Sequence, residues 1–370
     1  RRLLGDVTPF PYYAIFQLDG DRMGAWLSGS DPDLLTSYDK GWHRAVLGGM
    51  RSVVERCPHL KTYLEAKRVP SPARHVAICE ALNAFALSLA RPIVEDRFKG
   101  QLIYAGGDDV LAMIAVDDLL PCITLLRLVF SGILPGGTED PIWKQHLAEA
   151  FGGANKINDG FVLFERVLHR VMGEKATASI GAVVAHEKEP LARVLRVVRE
   201  TEKRAKNKGG RNALALTLLK RSGGSVALTA PWWLNQEGGL AASPIGRLLS
   251  LRALFSEPGF SRRALYHVLD WLHRLPTAAV LHGRDATYTD LVRTNLAFQV
   301  RRQASSKQLE ETAASEAVKL VEVATAIAAH TKEPLPAVIE GFLSAAEFLA
   351  RPSRDLKVAA GKAEARQAAE

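Results

Sequence analysis

The chain has 370 residues, of which 47% are hydrophobic and 24% are charged, a balance typical of globular proteins. No apolar run reaches the roughly 18–20 residues that span a bilayer, and no secretory signal opens the sequence, so neither a membrane nor a secreted protein is predicted. The three cysteines form no CxxC pair, which argues against a disulfide framework or a structural zinc site and favours a cytoplasmic setting. The formal net charge of +8 suits a phosphate-rich partner, either nucleic acid or a nucleoside triphosphate.

The first predicted element is a buried strand over residues 12–19, a short apolar run that ends in Asp19. A long helix is predicted after Ser71-Pro72, with Ser71 as N-cap and Pro72 at the first helical position. Spacing typical of a helix predicts that its buried stripe consists of Val76, Cys79, Leu82, Phe85 or Ala86, Leu89 and Ile93.

Two apolar runs, 101–105 and 110–115, flank the sequence Gly-Gly-Asp-Asp at 106–109, which predicts a β-hairpin. Residues 117–131 are predicted to form a helix. The glycine-rich and polar stretch over about 135–175 predicts an insertion or a mobile lobe.

The second half of the sequence first alternates between predicted strands and a predicted helix, and then becomes uniformly helical. A buried strand over 176–184, a helix that begins at Pro190 and a last strand over 212–219 are predicted in that order. After Trp232-Trp233 the patterns predict only helices, at 244–256, 260–275, 287–303, 307–330 and 335–350, followed by a tail that frays from residue 354.

This order of elements predicts an α+β fold whose sheet contains antiparallel strands and carries packed helices, followed by an all-α C-terminal domain. The predicted domains are 1–228 and 229–370. A doubly wound nucleotide-binding fold is not predicted, because the sequence contains neither GxGxxG nor a Walker A loop.

Two acidic motifs are the most informative for chemistry. Asp19-Gly20-Asp21 closes a predicted strand, and Gly106-Gly107-Asp108-Asp109 forms a predicted hairpin turn. Phosphoryl transfer commonly uses two divalent cations about 4 Å apart, and Mg²⁺ prefers carboxylate oxygens. We therefore predict that Asp19, Asp108 and Asp109 meet around two Mg²⁺ or Mn²⁺ ions, and that the glycines let phosphates approach the backbone.

The alternative for the second motif is a plain hairpin turn, since Asp and Gly are standard turn residues. A similar pair of interpretations applies where a predicted helix ends at 205–212. Lys206 and Arg211 could bind the phosphates of a nucleotide, or they could be the cations that stabilise any helix C-terminus. The aspartates favour the phosphate interpretation. Two further candidates are weaker: a structural role is predicted for His186, and burial for Trp232-Trp233.

Four blocks of this sequence, 19–24, 104–112, 176–186 and 205–212, together resemble the large polymerase-like subunit of type III CRISPR effector complexes, in the Cmr (III-B) branch. The same blocks are more distantly similar to diguanylate cyclase domains, whose hairpin carries Gly-Gly-Asp/Glu-Glu-Phe. The resemblance implies a palm, or nucleotide-cyclase, fold with a ferredoxin-like antiparallel sheet. It also implies that ATP is converted into cyclic oligoadenylates when the complex holds target RNA.

The resemblance also implies roles for individual residues. Asp19 and Asp108 would bind the metals with help from Asp109, and the Gly20 carbonyl would complete a metal shell. The nucleotide-binding residues would be Gly20, Asp21, Gly106, Gly107, Lys206 and Arg211, with Cys79 and Asn83 on a helix that faces the base.

The implied partners are the other subunits of a type III CRISPR ribonucleoprotein, guide and target RNA held through that complex, and ATP, with no membrane involved. The chain would be a second palm followed by a helical domain, without the HD nuclease, first palm and zinc region of full-length family members. Two other hypotheses remain: a diguanylate or other nucleotide cyclase, and a structural subunit that binds nucleotide without turnover. Asp109 and Val110, where diguanylate cyclases carry Glu and Phe, argue against the first of these.

Overall fold

The computed structural model describes residues 10–134, 156–234, 243–261, 263–275 and 285–367. The strands are β1 (Tyr12–Gly20), β2 (Gly100–Gly106), β3 (Asp109–Ile114), β4 (Ile157–Asn158), β5 (Phe161–Phe164), β6 (Val167–Arg170), β7 (Ala178–His186), β8 (Ala213–Leu219) and β9 (Ser225–Pro231). The helices are α1 (Met23–Ser28), α2 (Arg44–Arg56), α3 (Pro58–Glu65), α4 (Pro72–Asn83), α5 (Leu119–Ser131), α6 (Leu191–Asn207), α7 (Pro244–Ser256), α8 (Ala264–His273), α9 (Asp285–Arg301), α10 (Lys307–Thr331) and α11 (Leu335–Gln367).

Six strands form one mixed sheet in the order β2-β3-β1-β7-β8-β9. Strand β1 lies in its interior and runs antiparallel to both β3 and β7, whereas β7 and β8 are parallel and are joined through α6. The predicted α+β fold with an antiparallel-rich sheet is confirmed. Its strands and helices follow the predicted order.

The apolar sequence of β1 is explained by packing on both of its faces. Ile15 belongs to a cluster with Val194 and Val198 of α6, while Phe16 and Leu18 belong to the large core on the opposite face. A strand covered on both sides has no solvent-facing positions for polar residues, so it shows a continuous apolar run rather than an alternation.

Helix α4 confirms the predicted cap, since the Ser71 side chain accepts a hydrogen bond from the Arg74 backbone amide and Pro72 occupies the first turn. The predicted stripe is wrong in its first half, because Val76 and Cys79 are exposed. Beyond Asn83 the helix continues in π-helical form over 84–90 and 92–97, and its buried positions there include Phe85, Leu89 and Ile93. A π-helical turn holds more residues than an α-helical turn, so a 3.6-residue period cannot describe both halves of the helix.

The stretch Pro72–Arg97 is long and apolar enough, by length and composition alone, to cross a membrane. This differs from the expectation that no such run exists. Phe85, Leu89 and Ile93 are fully buried within the core, as in the core helix of a folded domain. The run therefore carries no indication of a membrane beyond its composition.

Part of the predicted insertion, residues 135–155, lies outside the described residues. The remainder is ordered as a small antiparallel sheet, β4-β5-β6, with Val162 and Phe164 buried beneath it. The described part thus forms a small sheet of its own, and the expectation of an insertion or a mobile lobe stays a prediction. The alternation of exposed and buried residues along β5 is the pattern of a strand with one covered face.

Besides β4, β5 and β6, the structure adds strand β9 and lengthens one helix relative to the predictions. Strand β9 follows the predicted last strand and pairs along the whole of β8. Helix α11 continues past Pro352 to Gln367, so the predicted fraying from residue 354 is wrong over that range. The C-terminal helices share one core with the sheet, in which Leu228 and Trp232 lie near Leu248 and Phe342. The predicted division at 228/229 stays a prediction, and residue 228 itself lies within β9.

Helix α6 lies directly on β7 at Gly181. A Cβ atom added at Gly181 would come within 2.2 Å of the backbone nitrogen of Glu202 and within 2.5 Å of its Cα atom. Backbone atoms cannot move aside as a flexible side chain can. The glycine therefore sets the distance between α6 and the sheet.

We expect Gly181→Ala to lower the free energy of unfolding by roughly 1–3 kcal/mol, because the methyl group must push α6 away from β7. The matched control is Gly48→Ala, at an exposed position of α2 where an added Cβ meets nothing within 4 Å. This control should raise the free energy of unfolding by about 0.5–1 kcal/mol through helix propensity. Urea denaturation followed by circular dichroism measures both changes, and equal stabilities would show that α6 does not depend on this contact.

Candidate active site

Three aspartates from two distant parts of the sequence lie at one edge of the main sheet. Strand β1 ends at Gly20, and the β2–β3 hairpin turns at Gly107-Asp108 beside it. A Cβ atom added at Gly20 would lie 2.7 Å from the Cβ atom of Asp108 and 2.9 Å from its Oδ2 atom. The absence of a side chain at Gly20 thus lets the turn that carries Asp108 lie against the end of β1.

The register of the sheet places Asp19 and Asp109 on neighbouring strands. Leu18 pairs with Val110, so Asp19 and Asp109, one residue further on each strand, extend toward the same edge. In the turn, Gly107 has φ +60° and Gly106 pairs with Asp109 across the two-residue loop. A left-handed first turn position is the standard requirement of such short loops and favours glycine.

The carboxylates perturb one another. Burial raises the pKa of Asp109 to about 6, with the charges of Asp19 and Asp108 adding to the effect. Burial also raises the pKa of Asp108, and Asp19 adds to it. Like charges in a partly dehydrated cleft disfavour ionisation. The cluster therefore holds negative charge at a cost that a cation would relieve.

Lys206, near the end of α6, supplies one positive charge to this cluster. Its Nζ atom lies 2.6 Å from Asp19 Oδ2 and 3.0 Å from Glu202 Oε1. Burial acts to lower the pKa of Lys206, but the hydrogen bonds and charges of Asp19 and Glu202 outweigh it, and the net shift is upward. The ammonium is thus held in its charged form between two carboxylates.

Glu202 is a residue that sequence reasoning missed. It is only 5% exposed, and burial raises its pKa while the charge and hydrogen bond of Lys206 oppose that rise. A signal was present: Glu202 and Lys206 continue the four-residue spacing of the buried Val194 and Val198 along α6. Polar residues at the next two positions of an apolar stripe indicate charges that are directed inward.

Asp21 lies beneath the cleft and is 2% exposed. Thr177 Oγ1 and the backbone amide of Asn212 donate hydrogen bonds to its Oδ2 atom, and Ser179 Oγ donates to Oδ1, each at 2.8 Å. Its own amide donates to the Thr177 carbonyl. These bonds do not support the predicted contact of Asp21 with the nucleotide. They instead fix the end of β1 to β7 and to the start of β8.

A buried arginine extends this network. Arg127 of α5 donates to Asn212 Oδ1 through Nε at 3.0 Å and through Nη2 at 2.6 Å, and also to Ser131 Oγ at 3.1 Å. Its guanidinium lies over the Trp233 ring. Burial lowers the pKa of Arg127 to about 10, while the charge of Asp21 acts in the opposite direction. The network links the sheet edge to a helix beneath it.

The donor set of the cleft fits divalent cations. Asp109 Oδ1 is buried and has no hydrogen-bond partner in the structure, so no hydrogen bond offsets the loss of its hydration. Asp19, Asp108 and Glu202 add carboxylate oxygens, which Mg²⁺ and Mn²⁺ prefer. Within the described residues, no three His, Cys, Asp or Glu side chains lie close enough together to hold an ion in their present positions. The Asp19 carboxylate forms an ion pair with Lys206 instead. Binding would therefore require Asp19 to exchange this partner.

Four other residues that were predicted to bind the nucleotide lie at open or exposed positions. Gly107 faces open space, since an added Cβ atom would meet nothing within 4 Å. Arg211 is exposed, has φ +68°, and donates its backbone amide to the Lys206 carbonyl at 3.1 Å. Cys79 and Asn83 are exposed on α4. Their contacts with a nucleotide stay predictions.

A cavity of about 350 Å³ lies on the opposite face of α4 from Cys79 and Asn83. Helix α1, whose Met23 side chain borders Gly20, contributes Trp26 to its lining. Arg74 lies over the Trp26 ring and donates to the backbone carbonyls of Trp26 and Leu34. The two faces of α4 thus differ, one exposed and one lining a cavity with an aromatic and cationic wall.

Of the two weaker candidates, burial is confirmed for Trp232, whereas Trp233 is half-buried and the structural role of His186 stays a prediction. His186 pairs with Tyr12 at the far end of β1, seven residues or about 23 Å from the pair of Asp19 with Ser179. Its ring packs edge-on against Tyr12. Trp232 is 1% exposed and donates its indole N–H to the Ala178 carbonyl.

Comparison with known proteins shows which family the sequence matches. The sequence pattern of the Cas10/Cmr2 second palm domain matches residues 12–141 and 133–215. The CRISPR system Cmr subunit Cmr2 of Pyrococcus furiosus is 30% identical over 282 residues, which are 74% of this chain and 25% of that protein. The chain thus spans about a quarter of the length of this curated relative.

Solved structures support the fold. The type III-B Cmr-beta complex in its apo state contains a chain with TM-score 0.52 and 18% identity, covering 83% of this chain and 35% of that one. The complex bound to cognate target RNA gives TM-score 0.52 and 19% identity, with coverage of 83% and 36%. At this level of identity the likeness concerns the fold.

The raised pKa of Asp109 predicts a pH-dependent contribution to stability. Because the folded state favours the protonated carboxyl, this contribution is present below the ordinary value of 3.8 and is lost as the pH rises through about 6. We expect the free energy of unfolding of the unsubstituted chain, relative to that of Asp109→Asn, to fall between pH 4 and pH 6 and to level off above. Urea titrations at several pH values without divalent cations measure it, with the exposed Asp96→Asn as a control; a flat difference would contradict the expectation.

Asp21→Asn tests the network beneath the cleft. The amide would direct an N–H group at one of the three donors and would remove the negative charge near Arg127. We expect the free energy of unfolding to fall by about 2–3 kcal/mol, compared with a negligible change for the exposed Glu200→Gln. A variant with unchanged stability would show that Asp21 does not hold the sheet edge together.

Proposed function

The chain belongs to the Cas10/Cmr2 family, which it matches through the second palm domain, and from this premise we propose that it performs nucleotidyl transfer on ATP to make cyclic oligoadenylate. The observation that carries the proposal is the meeting of Asp19, Asp108 and Asp109 at one edge of the sheet beside Lys206. Carboxylates forced together in a half-buried cleft are costly without cations. A site for phosphate chemistry explains why that cost is tolerated.

In this proposal Asp19, Asp108, Asp109 and the Gly20 carbonyl would hold two Mg²⁺ or Mn²⁺ ions. Such ions, when bound, neutralise the triphosphate and lower the pKa of the attacking hydroxyl. A ribose hydroxyl of one nucleotide forms a bond to the α-phosphorus of the next, and pyrophosphate leaves with the electrons of the broken P–O bond. The hydroxyl proton passes to solvent or to a leaving oxygen.

The residues of the chain would position these groups. Gly107, at the open turn, lets phosphates approach the backbone, and the Lys206 ammonium would bind phosphate oxygens at the end of α6. Arg211 lies five residues further on and is exposed, so it is free to orient toward the same phosphates. The contacts of Cys79 and Asn83 with the base remain predictions of the family resemblance.

We further propose that the chain works in the cytoplasm within an RNA-guided type III CRISPR complex. Its curated relative is named a subunit of the Cmr system, and a chain of similar fold occurs in a Cmr-beta complex bound to cognate target RNA. Guide and target RNA would reach the chain through other subunits. Outside such a complex the chain is expected to turn over slowly.

The decisive experiment uses the double substitution Asp108→Ala plus Asp109→Ala. With the chain in its complex, product from radiolabelled ATP and Mg²⁺ or Mn²⁺ should fall at least 100-fold, an order-of-magnitude expectation for a lost transition-state contact. Assembly, followed by size-exclusion chromatography, should be unchanged. The matched control is the exposed pair Asp96→Ala plus Glu200→Ala, which should retain product.

Three outcomes would redirect the assignment. A dinucleotide formed only from GTP would indicate a diguanylate cyclase. Nucleotide binding without any product in the assembled complex would indicate a structural subunit. Loss of assembly in the aspartate variant would make the motif architectural rather than catalytic.

A further inference from the structure

We propose that Glu202 is a positioning residue that retains the Lys206 ammonium in the cleft when a divalent cation takes its place at Asp19. The inference rests on the proposed function, because it requires divalent cations to bind at Asp19. It adds a residue and a role that neither the sequence motifs nor the comparisons assign. Its geometric basis is the Lys206 ammonium, which contacts the carboxylates of both Asp19 and Glu202.

The first step is that one ammonium serves two carboxylates. Lys206 Nζ lies 2.6 Å from Asp19 Oδ2 and 3.0 Å from Glu202 Oε1. The shorter contact is to the residue that the metals would need. A divalent cation at Asp19 and an ammonium on the same oxygen would repel each other, so the two compete for it.

The second step is that Glu202 cannot leave. Its side chain is 7% exposed, and its backbone lies against Gly181, where an added Cβ atom would be 2.2 Å from its nitrogen. Glu202 and Lys206 are four residues apart on α6 and face the same side. When the ammonium leaves Asp19, the nearest negative charge is a fixed one.

The third step is that Glu202 needs a partner. A buried carboxylate without a countercharge costs free energy, and burial already raises the pKa of Glu202. A Lys206 side chain that swung fully into solvent would leave that carboxylate alone. Retention at Glu202 keeps the ammonium at the mouth of the cleft, where the phosphates of the proposed substrate would enter.

A simpler role would be an ordinary i,i+4 ion pair that stabilises the helix. Such a pair would leave cation binding at Asp19 unaffected, apart from a through-space charge effect. That effect would be the same whether or not Lys206 is present. The proposed role predicts instead that the effect of Glu202 depends on Lys206, which a double-mutant cycle measures.

The experiment is a Mn²⁺ titration of the full chain, without nucleotide, in which free Mn²⁺ is followed by electron paramagnetic resonance. The variants are Lys206→Met, Glu202→Gln and both together. Lys206→Met should tighten Mn²⁺ binding, because the competing ammonium is gone. Glu202→Gln should weaken binding about fivefold or more in the presence of Lys206, but less than about twofold in the Lys206→Met background.

Glu202→Asp provides a second variant if the buried amide disturbs folding, which circular dichroism would reveal. It keeps the charge but withdraws it by one methylene group, so it should behave as Glu202→Gln does. The control cycle uses the i,i+4 pair of Glu189 and Arg193 at the other end of α6. Glu189→Gln and Arg193→Met should show no coupling in Mn²⁺ affinity.

Each outcome decides a different point. Equal effects of Glu202→Gln in both backgrounds, or unchanged binding in Glu202→Asp, would overturn the positioning role while leaving the metal site intact. Mn²⁺ binding that is undetectable in all variants, or a measurable Mn²⁺ affinity that Asp108→Asn leaves unchanged, would overturn the proposed function and this inference with it. Nonadditive effects on Mn²⁺ affinity for Glu202 and Lys206, with additive effects for Glu189 and Arg193, would support the inference.

Discussion

The crowding of acidic side chains at one sheet edge is the constraint on which the rest of the site depends. Two like charges 4 Å apart repel by about 4 kcal/mol at an effective dielectric of 20. The charges of Asp19, Asp108 and Glu202 all act to raise the pKa of Asp109, and Lys206 is the cation that the described contacts place among them. A fold relaxes such repulsion unless its backbone is held. The glycines at 20 and 181 and the bonds of the buried carboxylate at 21 provide that hold, because each fixes a distance between elements that carry the charges.

Asp21 shows how a motif can divide its work between chemistry and support. Its neighbour Asp19 faces the cleft, while its own oxygens accept three hydrogen bonds beneath it. Asn212 then passes the connection to Arg127, which is buried in a helix under the sheet. Residues separated by some 190 positions are thus joined within one small network. The division follows from the end of β1 at Gly20, because Asp21 lies in the turn that follows the strand and is no longer bound by its alternation.

Sequence patterns predicted the elements that combine strong local signals, and the structure confirmed them. The apolar run of β1, the Gly-Gly turn of the hairpin and the Ser71-Pro72 helix start are such signals, because each is set by residues close in sequence. The buried stripe of α4 was not predictable in full, since the change to π-helical turns depends on packing. Strand β9 forms a hairpin with β8 across a turn that contains Gly223-Gly224, so it was missed despite a local turn signal. The burial of Asp21 was hidden because its partners Thr177, Ser179 and Asn212 are distant in sequence. Glu202 was missed although its four-residue spacing to Lys206 was a local signal.

The ion pairs that Lys206 forms in the substrate-free cleft are related to the phosphate-binding role proposed for it. Sequence motifs assign this lysine to phosphates, whereas the structure shows it on Asp19 and Glu202. Both follow from charge balance. Without substrate, the ammonium is the cation available to the carboxylates. A triphosphate accompanied by divalent cations brings positive charge for the aspartates and negative charge for the lysine, so each group exchanges one partner for another of the same sign. Substrate entry would then be an exchange of countercharges within a fixed backbone, rather than the formation of a new site.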